Sequence, residues 1–190
     1  MKQYEEKLVI KSCDRLLHQE FELRPLERSD AEGMFAIMSD KEAMKYWSTE
    51  PQTSMSQTLE TMKKYIEDDS QVSTSSWAIQ LPKQDRRFVG WITFFGFKKG
   101  ICELGYALNR EFWGQKIMTK ALTLATNDAF ERYKIHRMEA QLHPDNVASK
   151  NVLLKLGFAV EGYQRLNFYR SGRFEDTLLM AKLRLPHDSL

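Results

Sequence analysis

Residues 104–122 read LGYALNREFWGQKIMTKAL. Leu104, Tyr106 and Leu108 alternate with smaller residues, which marks the end of a strand. A short irregular stretch follows, and Gly114 lets the chain turn sharply. A long helix then runs from about Gln115 to Tyr133, with Met118, Ala121, Leu122, Ala125 and Ala129 in an apolar stripe at helical spacing. No Ser, Thr, Asp or Asn stands immediately before this helix, so its first N–H groups have no obvious side-chain cap. An uncapped, glycine-preceded helix start after a strand suits an anion such as phosphate, because the free N–H groups and the helix dipole act together. Capping by water explains the same pattern.

Outward from this block, periodicity assigns the rest of the chain. Residues 21–26 (FELRPL) alternate as a strand. Ser29-Asp30-Ala31-Glu32 reads as a capping box opening a helix through about Met38. Thr53 or Ser54 opens a second helix to about Glu67, and residues 70–76 form a polar connection. WAIQL, FVGWITFFGF and ICELGYAL then read as three strands of an antiparallel meander. After the long helix come a strand over residues 137–143 and a short helix over 147–156, with Val152, Leu153 and Leu156 inward. The chain closes as a hairpin of AVEGYQRLNFY and FEDTLLMAKL around a turn at Ser171-Gly172. The order β, α, α, β, β, β, α, β, α, β, β implies an α+β, or mixed α/β, fold with one central sheet.

The chain has 190 residues, which at about 100–200 residues per domain implies one domain over 1–190. Residues 1–14 read as an extension and 186–190 as a tail. Lys+Arg 28 against Asp+Glu 26 leaves a net charge of +2, so no strong basic field argues for nucleic acid or an anionic membrane surface. Hydrophobic content of 42% is enough to bury a core. Two cysteines, Cys13 and Cys102, make no disulfide framework and fit a reducing compartment. The start lacks a signal-peptide apolar stretch, and no run approaches the roughly 18 apolar residues of a membrane span. A cytoplasmic protein is expected. The four histidines are dispersed, no Cys/His spacing suggests a metal, and no GxSxG elbow, phosphate-binding P-loop or dinucleotide fingerprint is present. Outside the predicted core, no exposed apolar stripe is evident.

Three polar residues fall where chemistry is possible. Asn146 sits at the N-cap of the short helix, a role that explains it alone. Ser149 lies on the face of Val152, Leu153 and Leu156, so its hydroxyl needs a partner. That partner is either the helix backbone or a ligand. Cys102, Leu104, Tyr106 and Leu108 share the core face of their strand, whereas Glu103 shares the other with Gly105 and Ala107. Glu103 either borders a cleft or is a solvated strand residue.

The opening FELRPLERSDAEGMFAIMSD, the block ELGYALNREFWGQKIMTKAL, the block HPDNVASKNVLLKLGFAVEGYQR and the following GRFEDTLLMA, in that order, resemble the GNAT superfamily of acetyl-CoA-dependent N-acetyltransferases, most of all its RimJ/RimL-type ribosomal-protein-alanine acetyltransferase group. The resemblance covers about Arg15 to Leu183. It implies a splayed, mostly antiparallel central sheet with acetyl-CoA in the splay and no metal. The pantetheine arm would pair along residues 101–108, at Leu104, Tyr106 and Leu108. The diphosphate would sit on Trp113, Gly114, Gln115, Lys116, Ile117, Met118 and Thr119. Asn146 and Ser149 would contact the CoA arm, and Ser149 matches a serine proposed in some members to protonate the leaving thiolate. Glu103 is the candidate base, with His143 a weaker one. A backbone N–H near Leu104–Tyr106 would hold the oxyanion. The acceptor is an amine on a protein N-terminus or a small molecule, met by Tyr46, Trp47, Glu103 and Phe168. Tyr163 and Tyr169 either line that slot or belong to the core. Monomer and homodimer are both compatible.

The chain departs from the family pattern at four places. Lys116 replaces a loop glycine and either crowds the diphosphate or pairs with it. Lys120 stands where the group has glutamate. Leu153 stands where many members have a tyrosine acid, and Phe168 where some relatives carry a carboxylate. Lys116, Leu153 and Phe168 keep open an alternative, a CoA-binding regulatory module with little or no turnover.

Overall fold

The computed structural model describes residues 13–66 and 74–184. The expected end of the second helix at Glu67 and most of the polar connection lie outside the described residues. So do most of the extension and the tail.

The chain forms β1 (Leu16–Leu17), β2 (Glu22–Pro25), α1 (Ala31–Met38), α2 (Met55–Ile66), β3 (Ser75–Leu81), β4 (Arg87–Lys98), β5 (Ile101–Leu108), α3 (Ile117–Arg132), β6 (Arg137–Leu142), α4 (Val147–Lys155), β7 (Ala159–Arg170) and β8 (Arg173–Leu183). The eight strands make one sheet in the order β1-β2-β3-β4-β5-β6-β8-β7. Every neighbouring pair is antiparallel except β5 and β6, which α3 connects as a parallel crossover. The mixed α/β fold, the meander β3–β5 and the closing hairpin all follow the periodicity of the sequence. Among the described residues, no helix is long and apolar enough to cross a membrane.

The parallel ladder is short. It pairs Ile101 with Arg137, Cys102 with Met138 and Glu103 with Glu139, and there it ends. Beyond that point β5 stays with β4, pairing through Leu108 with Gly90. β6 stays with β8, pairing Leu142 with Leu178. Each strand follows its own antiparallel partner, and the sheet opens between them.

Alternation along β5 sends side chains to two cores. Leu104 packs with Trp77, Phe94 and the stripe of α3 (Ala121, Leu122, Ala125, Ala129), and Leu153 and Leu156 of the α4 region join this core. Ala107 faces the other core with Met34, Ile37 and Met38 of α1, Met62 of α2 and Trp91 of β4. The two faces of β5 therefore look into different halves of the molecule.

The helix starts differ from expectation in instructive ways. The capping box before α1 uses Glu27 and Asp30, not Ser29 and Glu32, because a 3-10 turn over Arg28–Asp30 precedes the helix. Asp30 is buried and accepts the Glu27 N–H at 2.9 Å while the Arg24 guanidinium grips both its oxygens at 2.8 and 2.5 Å. At α2 the cap comes from Gln57, whose carbonyl accepts from Thr53 N at 2.8 Å and Ser54 N at 3.2 Å. α3 begins at Ile117 rather than Gln115, since Gly114 (φ 75°) and Lys116 (φ 61°) hold left-handed backbone before it. Asn146 caps α4 as expected, accepting from Ser149 N at 3.1 Å.

At the end of the chain, Ser171 (φ 50°) and Gly172 (φ 84°) make the two-residue, left-handed turn that suits strand twist in a hairpin. Tyr163 and Tyr169 are 55% and 61% exposed, so neither belongs to the core. Leu166 and Phe174 are likewise exposed on the last two strands, and Phe174 packs its ring on Tyr169, an apolar exposure the sequence did not lead one to expect. The reason is topological: β7 ends the sheet.

The Arg24–Asp30 pair joins β2 to the start of α1 and is almost fully buried. Asp30→Ala leaves that guanidinium uncompensated, and urea unfolding should show a loss of about 3–5 kcal/mol.

Candidate active site

Where β5 and β6 part, a cleft of about 450 Å³ opens. β5 contributes Glu103, Leu104, Gly105 and Tyr106, and the end of β6 contributes Gln141 and, just beyond the strand, His143. Asn146, Ser149 and Leu153 come from the α4 region. Tyr46, Trp47 and Ser48 come from the segment between α1 and α2, and Phe168, Glu175 and Asp176 from the terminal hairpin. Thus Glu103, Ser149, Leu104, Tyr106, Asn146, Tyr46, Trp47 and Phe168 are brought to one place. Leu108 and residues 113–119 lie outside this cleft, at the far end of β5 and the start of α3.

Glu103 stands at the last rung of the parallel ladder, opposite Glu139. Half-burial and then the neighbouring Glu139 charge push its carboxyl above the ordinary carboxylate range, against a hydrogen bond donated by Gln141 Nε2 at 3.4 Å. Glu139 is itself held by Arg137 at 2.6 Å, and the same guanidinium binds Glu161. Gly105 keeps the wall beside Glu103 low: a Cβ there would press on Thr93 Cγ2 at 3.3 Å and Phe95 Cε1 at 3.4 Å.

Ser149 finds its protein partner across the fork rather than in its own helix backbone. Its hydroxyl lies 2.6 Å from the Tyr106 phenol, which reaches across from β5. The carbonyl four residues back, of Asp145, already accepts Val147 N at 2.8 Å. Burial raises the Tyr106 phenol to about 12, with the Ser149 hydrogen bond opposing.

His143 stacks on Tyr46 with ring centroids 5.2 Å apart. Its Nδ1 accepts Asp145 N at 3.1 Å, so the neutral ring carries its proton on Nε2. That nitrogen faces Glu175 Oε2 at 3.7 Å. Asp145 Oδ2 also lies 3.9 Å from Nδ1, so two carboxylates flank the ring at the edge of the cleft. Glu175 is nearly buried, holds Arg173 at 2.8 Å, and pairs in register with Phe168. Residues directly opposite across two strands share a face. A carboxylate therefore stands beside Phe168, supplied by the neighbouring strand.

The outer wall is tied down by Arg170, which donates to the carbonyls of Met44 and Lys45, and by Ser171, whose hydroxyl bonds Glu50. Among the described residues, no three His, Cys, Asp or Glu side chains gather as a metal set.

At the other end of the fork, among the described residues, β6 offers no ladder partner to Leu104–Leu108. The Trp113 indole N–H donates to Leu108 O at 2.9 Å and latches the loop onto the strand end. Lys116 occupies the N-cap of α3 without a side-chain cap bond. The side chains of Ile117 and Met118 are buried in the core, so these residues present only main chain to the loop. Lys120 pairs with Glu20 across to the β1–β2 turn.

A sheet forked between a meander and a hairpin, with a bare helix start at one end and a cleft at the other, has known relatives. Residues 20–159 match the family described as acetyltransferase (GNAT) domain. The chain belongs to the GNAT acetyltransferase family. It is 32% identical over 180 residues to a probable N-acetyltransferase, YjcK, of Bacillus subtilis, covering 87% of this chain and 94% of that one. It is 31% identical over 100 residues to the ribosomal protein uS5-alanine N-acetyltransferase of Escherichia coli, spanning 51% of this chain and 52% of that one. The crystal structure of spermidine N-acetyltransferase from Vibrio cholerae in complex with CoA and spermine superposes with TM-score 0.76 at 20% identity, covering 87% of this chain and 96% of that one.

Within this GNAT domain, sequence reasoning did not find Glu139, Gln141, Glu175 or the Tyr106 hydroxyl as parts of the site. Glu139 and Gln141 alternate on one face of RMEAQL, but only the register of β6 against β5 brings them to Glu103. Lys116 sits in left-handed backbone (φ 61°) and bears strain there that glycine would not. Relief of that strain, offset by the entropy of a glycine, gives Lys116→Gly a gain of about 0.5–1 kcal/mol in unfolding free energy without ligand, measurable by chemical denaturation.

Proposed function

We propose that the protein acetylates a primary amine with acetyl-CoA, using Glu103 as general base and Ser149 as general acid. The observation that carries this reading is the fork itself. A carboxylate with a raised pKa stands on one side of β5 and a hydroxyl on the other. Acetyl-CoA fits the remaining features. The free edge of Leu104–Leu108 suits an amide-bearing arm, and the bare N-terminus of α3 at Lys116–Thr119 suits a diphosphate. Its thioester supplies an activated acetyl group, so orientation does much of the work.

The chain's own residues then divide the remaining tasks. Tyr46, Trp47 and Phe168 wall the acceptor side, and Glu103, Glu175 and Asp176 make it acidic. That acidity suits an acceptor that arrives as an ammonium cation. Glu103 Oε takes the proton released as the amine becomes nucleophilic. Main-chain N–H groups on the free edge of β5 face the negative charge that develops on the carbonyl oxygen. The Ser149 hydroxyl gives its proton to the departing sulfur and regains one from water. Lys116, exposed at the loop, lends a point charge to the diphosphate.

The departures that favoured a regulatory module weigh less in the folded chain. Leu153 is a buried core residue, while Tyr106 brings a phenol to the same helix from β5. Glu175 stands opposite Phe168. We read the acceptor as a cationic primary amine, either a protein N-terminus or a small polyamine-like molecule, and the reaction as cytoplasmic; two buried free cysteines support a reducing compartment.

Calorimetric titration with acetyl-CoA, followed by thiol release against a panel of amines and N-terminal peptides, tests the reading. Binding without turnover on any acceptor would return it to the module. Glu103→Gln should lower kcat/KM by about 10²–10⁴-fold. The acid limb of the parent's pH profile should lie above that of an ordinary carboxylate, and Glu139→Gln, which removes the neighbouring like charge, should move it to lower pH.

A stability measurement checks the same carboxyl independently. Its folded pKa is raised above the unfolded value of about 4.5, so the folded state holds the proton more tightly. The corresponding stability is present below that pH and is lost as pH rises through the raised value. Glu103→Gln should therefore raise Tm at pH 8 and leave it little changed at pH 4.

A further inference from the structure

The Tyr106 phenol is a partly buried polar group for which acetyl transfer, as described, has no use. Its oxygen lies 2.6 Å from Ser149 Oγ and 3.4 Å from Ser149 O. A phenol has one proton to give. The carbonyl contact is too long to use it well, whereas the hydroxyl contact is a full hydrogen bond. A helical serine ordinarily spends its own proton on the carbonyl four residues back. Here Ser149 Oγ makes no bond to that carbonyl, of Asp145, which accepts Val147 N at 2.8 Å, and turns to the phenol instead.

We propose that Tyr106 is a positioning residue: its phenol donates to Ser149 Oγ and so leaves the serine's own proton free to point into the fork. This rests on the acetyl-transfer reading and on Ser149 as its acid. The geometry also fixes the side of approach. Tyr106 shares a face of β5 with Leu104, against the α3–α4 core, while Glu103 lies on the opposite face. Acid and base then act on the reacting centre from opposite sides of one strand.

Tyr106 does not pass on its own proton. Burial holds the phenol at about 12, so it stays a donor across the working pH range. It orients Ser149 and stabilises the negative charge that builds on Oγ as the serine proton leaves for the sulfur. The transfer itself is balanced by the serine alone: the Oγ–H bond breaks, an S–H bond forms, and Oγ is reprotonated by water.

The test is a double-mutant cycle of Tyr106→Phe and Ser149→Ala, read by thiol release under saturating amine. Tyr106→Phe keeps the ring and removes one oxygen, so folding is preserved, as its Tm should show. Its kcat should fall by about tenfold, the weight of one hydrogen bond, with KM for acetyl-CoA within about twofold of the parent. In the Ser149→Ala background the same change should have no further effect. A fall in kcat that persists undiminished without the serine would overturn the inference, as would a Tyr106→Phe enzyme as fast as the parent. A second readout needs no turnover. In protein labelled with ¹³C at tyrosine Cζ, the resonance lost in Tyr106→Phe should shift in ligand-free Ser149→Ala; an unmoved resonance means the two hydroxyls are not bonded, and the inference fails. If the parent itself acetylates no amine, the acetyl-transfer reading falls, and that result is distinct from a parent that turns over and a tyrosine that does not matter.

Discussion

Three rungs of parallel ladder, ending at Glu103 and Glu139, set the geometry of everything around them. A longer ladder would seal the sheet and bury the main-chain edge of Leu104–Leu108 against β6. A shorter one would let the two halves of the molecule drift. β5 is bound along its length to β4 and β6 to β8, so neither can follow the other past Glu103. The opening is thus a consequence of strand pairing, and the cleft needs no dedicated loop to hold it open.

The ladder's end also decides the electrostatics. Two glutamates meet in register at the last rung, and like charges directly opposite on a sheet repel. Arg137 takes up one of them, Glu139, together with Glu161. The other, Glu103, keeps its proton more readily than an ordinary carboxylate. On the proposed reading this suits Glu103 to act as the base, and the cost to stability falls on the site rather than the core.

Much of this was legible in the sequence. The stripe Met118, Ala121, Leu122, Ala125, Ala129 announced α3, and strict alternation announced β5 and which of its residues face which way. The bare start of α3 was legible from the missing cap residue. Register was not. Nothing in RMEAQL says that its glutamate will face Glu103, because that match is set by the length and seating of a helix between the two strands. The hydroxyl pair was half legible: Tyr106 fell on a core face and Ser149 on another, and each needs a partner when buried. Sequence flagged the serine's need, but only the packing of α4 on β5 makes each the answer to the other. The cap of α1 was misread for a local reason: Arg24 claims Asp30 from a neighbouring strand, which a reading along the chain does not see.

Arg170 gives the outer wall of the cleft its character. One guanidinium, reaching from the end of β7 to two carbonyls at Met44 and Lys45, joins stretches of chain 125 and 126 residues apart. The α3 end of the fork shares none of these contacts. On the proposed reading, amine preference and coenzyme grip would sit on separately editable parts of one chain, and a lineage could refit its hairpin tip to a new acceptor while the thioester stayed where it was.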